Sequence, residues 1–165
     1  MFDLERFREA QDRRHPGFAA ALRELRAGRK TSHWIWYVFP QLRGLGRSPL
    51  AVRYGLEGVD EALAYVRDPV LGQRLAVATA AVREHVASAG GPARRLDEIM
   101  GSEIDAMKLI SCMTLFGAVA RRADASEPQS LLAALADDAD SVLRAAAAQG
   151  YERCAFTDAQ LARRD

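Results

Sequence analysis

The chain has 165 residues, 49% of them apolar and 27% charged, with 23 Lys and Arg set against 22 Asp and Glu. That length suits one compact domain able to bury most of its apolar surface, and the composition excludes a disordered chain, a fibrous repeat or a disulfide scaffold. A net charge near zero provides no overall field toward DNA, RNA or an anionic membrane, so any basic site has to be local.

In chain order, Asp3 is placed to cap a first helix with Phe2, Leu4, Phe7 and Ala10 on its apolar side, before His15-Pro16-Gly17 interrupts it. Phe18, Ala21, Leu22 and Leu25 then recur at helical spacing, and Gly28 is positioned to end that second helix in a left-handed conformation. Ser32 to Leu42 is aromatic and too short for periodicity to choose between a helical turn and a strand, with Pro40 limiting either. Ser48-Pro49 predicts a capped helix start, Gly58 separates it from the next segment, and Asp68-Pro69 opens a longer helix carrying Val70, Leu71, Leu75, Ala78 and Val82. That helix is expected to end near Ser88-Ala89-Gly90-Gly91-Pro92. A short helix around Leu96–Met100, a strongly apolar one over Asp105–Val119 and an alanine-rich one over Leu131–Ala148 complete the pattern.

No alternation long enough to build a sheet occurs, so the fold class expected is all-α, a compact multi-helix array in one domain over 1–165 with a tail from about 150. Phe7, Leu22, Leu25, Leu71, Leu75, Leu109 and Phe116 are the expected core. Cys112 and Cys154 lack zinc-site pairing, and no charged-then-apolar leader or membrane-length run is present, which makes a reducing cytoplasm the simplest compartment.

Two stretches carry a family likeness: Gly28 to Gly46, which contains Lys30-Thr31-Ser32-His33-Trp34-Ile35-Trp36 and Phe39-Pro40-Gln41-Leu42, and Met107 to Phe116. With Phe2-Asp3-Leu4, Arg6-Phe7 and Asp68-Pro69-Val70-Leu71-Gly72, they make most of the chain resemble the domain-of-unknown-function family 1810. The resemblance implies an all-α bacterial fold and supplies no reaction. The calpastatin label sometimes attached to such proteins transfers no inhibitor function. Ala106 and Cys154 depart from the acidic residues that the family pattern leads one to expect.

The candidate ligand site is read from residue types. Arg29, Lys30 and His33 set cationic donors beside Trp34 and Trp36, an arrangement suited to an anionic, phosphate- or carboxylate-bearing planar molecule. Gln41 follows, and Gly44 and Gly46 precede a capped helix, where backbone N–H groups can hold an anion, although the loop is neither a Walker loop nor a dinucleotide fingerprint. Lys108, Ser111 and Thr114 share one helix, and the 29–46 and 108–114 segments are expected to converge on one pocket. Lys30 and Lys108 are the chain's two lysines.

Each feature has a plainer reading: cations matching a helix C-terminus, tryptophans as core, glycines as an ordinary turn. Lys108-x-x-Ser111 reverses the Ser-x-x-Lys order and supports no serine nucleophile. His33 is the best candidate for proton transfer because its ordinary pKa lies near neutrality. The scattered histidines and the Asp97, Glu98, Glu103, Asp105 group suggest no metal, and no cofactor is implied. A small anionic ligand is therefore the leading expectation. Its alternative is a non-catalytic interaction or homodimerisation module, with nucleic acid last and no membrane partner.

Overall fold

The computed structural model of the protein describes residues 1–87, 91–123 and 130–163. Ten helices are found among them: α1 Glu5–Gln11, α2 Phe18–Arg26, α3 Ile35–Val38, α4 Pro49–Tyr54, α5 Val59–Arg67, α6 Pro69–Val86, α7 Leu96–Met100, α8 Glu103–Ala123, α9 Leu131–Ala148 and α10 Ala155–Ala162. The fold is all-α. Among the described residues the only extended pairing is one isolated bridge between Leu42 and Leu56.

Helix α8 organises the core. Residues 109–117 are all buried, so every face of the helix meets protein, as its nearly unbroken apolar run requires. It packs against α9, α5, α7 and α10, while α6 fills the layer between α9 and α2. The few polar groups inside bond locally: Thr114 Oγ1 donates to the Ile110 carbonyl at 2.8 Å and Thr79 Oγ1 to the Leu75 carbonyl at 2.8 Å. The Glu61 carboxylate, also buried, meets Arg6 at 2.7 Å and accepts the Glu57 N–H at 2.7 Å.

Helix starts largely obey their local chemistry. Ser48 accepts from the Ala51 N–H, and Asp68 accepts from Val70 and Leu71 N–H groups, each ahead of a proline in the first turn. At α1 the cap position falls on Leu4 instead, and the Asp3 carboxylate reaches only the Arg6 N–H at 3.4 Å. Leu22 is half-buried at the core's edge; the other six expected core residues are sealed. The ambiguous aromatic stretch resolves into the single turn α3 followed by the Leu42–Leu56 bridge. The expected Ser88-Ala89-Gly90 stop lies outside the described residues. Helix α10 has no counterpart among the expected elements, because it buries only Thr157 and Leu161 and so has no apolar period to read.

Candidate functional site

Sequence-distant elements are joined at Lys30. Gly28, with φ of +75°, turns the chain out of α2, and the Lys30 N–H then donates to the Ile99 carbonyl at 2.7 Å. Gly101, with φ of +80°, allows this approach, since a Cβ there would lie 2.6 Å from the Lys30 carbonyl oxygen. Lys30 is thereby pinned over the α7–α8 junction, next to Asp105 in the first turn of α8.

Asp105 serves both lysines. Lys30 Nζ lies 2.7 Å from Asp105 Oδ2, donates to the Ser32 carbonyl at 2.6 Å and stands 5.0 Å over the Trp34 ring. Its side chain is 5% exposed, and its donors are occupied. Lys108 repeats the arrangement in looser form: Nζ is 3.7 Å from Asp105 Oδ1, beyond hydrogen-bond range, and 4.9 Å over the Trp36 ring. Its side chain is 24% exposed. The 29–46 and 108–114 segments thus meet, and two ammonium groups share one carboxylate with a residual charge of +1 (two cations less one anion).

The two indoles differ in the same way. Trp34 is sealed, and its Nε1 donates to Glu24 Oε2 at 2.6 Å. Glu24 also accepts Thr31 N–H at 3.0 Å, Thr31 Oγ1 at 2.9 Å, Ser32 N–H at 3.1 Å and the Ser32 hydroxyl. Burial pushes the Glu24 carboxyl pKa up, but these donors more than reverse it and bring it down to about 2. Trp36 is half-buried, and its Nε1 is buried without a hydrogen-bond partner among the described residues.

Lys108 borders a cleft of about 690 Å³. Gln41, Lys108, Ser111, Glu152 and Arg153 contribute its polar groups, Leu45, Ile104, Met107 and Ile110 its aliphatic wall, and Tyr151 and Phe156 its aromatic wall. The Phe156 ring lies over the Gly44 turn, where an added Cβ would come within 3.3 Å of it. Residues 150–156, just before and at the start of α10, complete the lining beside α8 and the 41–45 loop.

The structure therefore redistributes the expected site. Gln41, Lys108 and Ser111 line the cleft, Trp36 supports Lys108, and Gly44 and Gly46 pack beside Phe156 and Ala51. Thr114 does not reach it: the side chain is fully buried and bonded to Ile110. Trp34 and Lys30 are consumed in packing and pairing. Arg29 borders a different, polar cleft of about 620 Å³ with Arg94, Asp97 and Glu98. His33 is exposed and lines neither cleft; its carbonyl accepts from Tyr37 Oη at 3.3 Å. The aromatic wall expected from the tryptophans comes from the C-terminal segment instead.

Glu24 and Asp105 are the organising residues that sequence reading left out of the site. An acid in the last turn of a helix opposes the macrodipole, so Glu24 there signals some other partner. A third cleft, of about 600 Å³ by the N-terminus, carries mutually paired charges such as Arg43 and Glu57 at 3.3 Å. Among the described residues no three His, Cys, Asp or Glu side chains form a metal-binding group, and no helix is long and apolar enough to cross a membrane.

Comparison with known proteins adds a family. The profile described as "Protein of unknown function (DUF1810)" matches residues 1–141. Among solved structures, the conserved hypothetical protein Rv1873 from Mycobacterium tuberculosis is 40% identical, with a TM-score of 0.69 over 98% of this chain and 97% of its own. No curated protein matches the sequence.

Proposed function

This chain belongs to the DUF1810 family of proteins of unknown function, and on that premise we propose that it binds a small anionic ligand in the Lys108 cleft. The observation that carries this reading is the asymmetry of the two lysines. Asp105 already satisfies Lys30 at 2.7 Å, so the Lys108 ammonium, 3.7 Å away, keeps donors for another anion at the mouth of an apolar cleft. The Trp36 ring holds the ammonium in place, and a partly desolvated cation attracts an anion more strongly than one in bulk water. The pattern of apolar walls around a few polar groups is that of small-molecule sites.

No reaction is assigned, because His33, the best proton-transfer candidate, lies away from the cleft. We read the chain as one domain of a bacterial cytoplasmic protein, a reading supported by its two free thiols and its mycobacterial relative. Native mass spectrometry of protein purified from cells, wild type beside Lys108→Met, tests the binding reading. A co-purifying anion lost only from the variant is the expected result; identical spectra under gentle conditions, with no added metabolite retained by either protein, contradict it.

A second reading, self-association, rests on Ile104, Met107 and Phe156, which are 68%, 57% and 40% exposed around the same cleft. Sedimentation over a wide concentration range distinguishes it. A dimer that Met107→Asp dissociates favours this second reading.

A further inference from the structure

The charges around the Lys108 cleft define which anion it suits. Arg153 also lines the cleft, but its guanidinium is held in a fork by Asp158, at 3.1 Å from Nε and 2.9 Å from the terminal nitrogen. That pair contributes no net charge. The Lys30–Asp105–Lys108 group contributes one positive charge, and Glu152, exposed on the cleft lining, contributes one negative charge. Either anion meets the ammonium and the Glu152 carboxylate, but a doubly charged group feels twice the repulsion and leaves its second charge without a counter-ion, whereas the one ammonium matches a singly charged group. Apart from the neutral Gln41, Ser111 and Cys154, the other side chains of the lining are aliphatic or aromatic and offer no donor to replace the hydration that a phosphate would lose against them.

We propose that the Lys108 cleft takes apolar monocarboxylates, its ammonium pairing with the carboxylate while Glu152 disfavours doubly charged phosphate esters. The inference rests on the reading of Lys108 as an anion anchor and adds the ligand class and a specificity residue. The apolar body of the ligand lies against Ile110 at the floor of the cleft and replaces water on Met107 and Phe156, which are otherwise partly exposed. The Gln41 amide, which makes no side-chain hydrogen bond among the described residues, supplies a second neutral donor for the carboxylate. A phosphate site built for double charge would require a second unneutralised cation here, and Arg153, the other cation on the lining, has its charge matched by Asp158.

One apolar body with three head groups separates these effects: octanoate, octyl phosphate and octanol, titrated at pH 8 by calorimetry into wild type, Lys108→Met, Lys108→Arg and Glu152→Gln. Cys154 gives an independent report from the site, since its half-buried thiol lines the cleft while Cys112 is fully buried. Occupancy should slow labelling of Cys154 by a thiol reagent. The expected order is octanoate tightest, with octanol and octyl phosphate each about tenfold weaker, the first for want of a charge-assisted hydrogen bond and the second through repulsion by Glu152. Lys108→Met should reduce octanoate to the level of octanol, and Lys108→Arg should restore most of the difference. Glu152→Gln should improve octyl phosphate several-fold and leave octanoate within about twofold.

Octyl phosphate binding as tightly as octanoate, with both still dependent on Lys108, overturns the monocarboxylate inference and leaves the anion-binding reading standing. Octanoate no tighter than octanol in wild type, or unaffected by Lys108→Met, overturns the anion-binding reading itself. Phosphate discrimination unchanged in Glu152→Gln removes Glu152 from the specificity argument.

Discussion

Two lysine–tryptophan pairs of the same composition stand on either side of one carboxylate. Around Lys30 and Trp34 every polar group is committed: the ammonium to Asp105 and the Ser32 carbonyl, the indole to Glu24. Around Lys108 and Trp36 the ion pair is longer, the side chain is five times as exposed by the ratio of 24% to 5%, and the indole N–H has no partner among the described residues. The same residue types thus do two jobs. The closed pair fixes the α2–α3 segment to α8, and the open pair presents charge to a cleft. Which job a lysine does is set by how many of its donors the fold has already used.

If this division holds, variants should split into those that damage the fold and those that damage binding. The largest effect is expected at Asp105: Asp105→Ala leaves the buried Lys30 charge uncompensated and should cost about 3–5 kcal/mol, read from the urea midpoint at constant slope. A loss below about 1 kcal/mol would mean that Lys30 does not depend on Asp105. Next is Glu24→Gln, which weakens the acceptor of five donors and should cost about 2 kcal/mol.

The Glu24 variant should also change the response to acid. The carboxyl pKa is depressed from 4.5 to about 2, so its contribution is complete above about 4.5 and is lost as pH falls toward and through about 2. Wild type should therefore lose more stability over that interval than Glu24→Gln, as followed by thermal melts at stepped pH. Parallel curves for the two proteins would contradict this role for Glu24. The smallest expected stability effect belongs to Lys108→Met, at about 1 kcal/mol or less, because the pair is long and partly solvated. A large loss there would move Lys108 from the open pair to the closed one.

Much of the fold was legible because long elements carry their own signals. The apolar run of α8, the Asp68-Pro69 start of α6 and the Gly28 stop of α2 each follow from local chemistry. Helix α10 was not, since two buried residues in eight leave no periodic trace. The site was legible in part: the two lysines stood out by rarity, and the structure brings both to Asp105. What sequence could not separate was the exposed from the consumed. Lys30 and Lys108 are both cations set over tryptophans of the aromatic segment, and contacts between distant elements, the bond from the Lys30 N–H to Ile99 and the short Asp105 pair, make Lys30 internal. His33 illustrates the opposite error, a residue with suitable chemistry whose ring the fold places away from the cleft.

The contrast between the pairs can be observed directly, because the chain has two lysines and two tryptophans and selective isotope labelling therefore yields two signals of each kind. In a nuclear magnetic resonance titration with octanoate, the Lys108 side-chain carbon and the Trp36 indole signal should shift progressively with occupancy. The Lys30 and Trp34 signals should stay in place, with the Trp34 indole proton already displaced by its bond to Glu24. Equal movement of both pairs, or bound octanoate that leaves Lys108 and Trp36 unmoved, would contradict the assignment of one pair to structure and the other to binding.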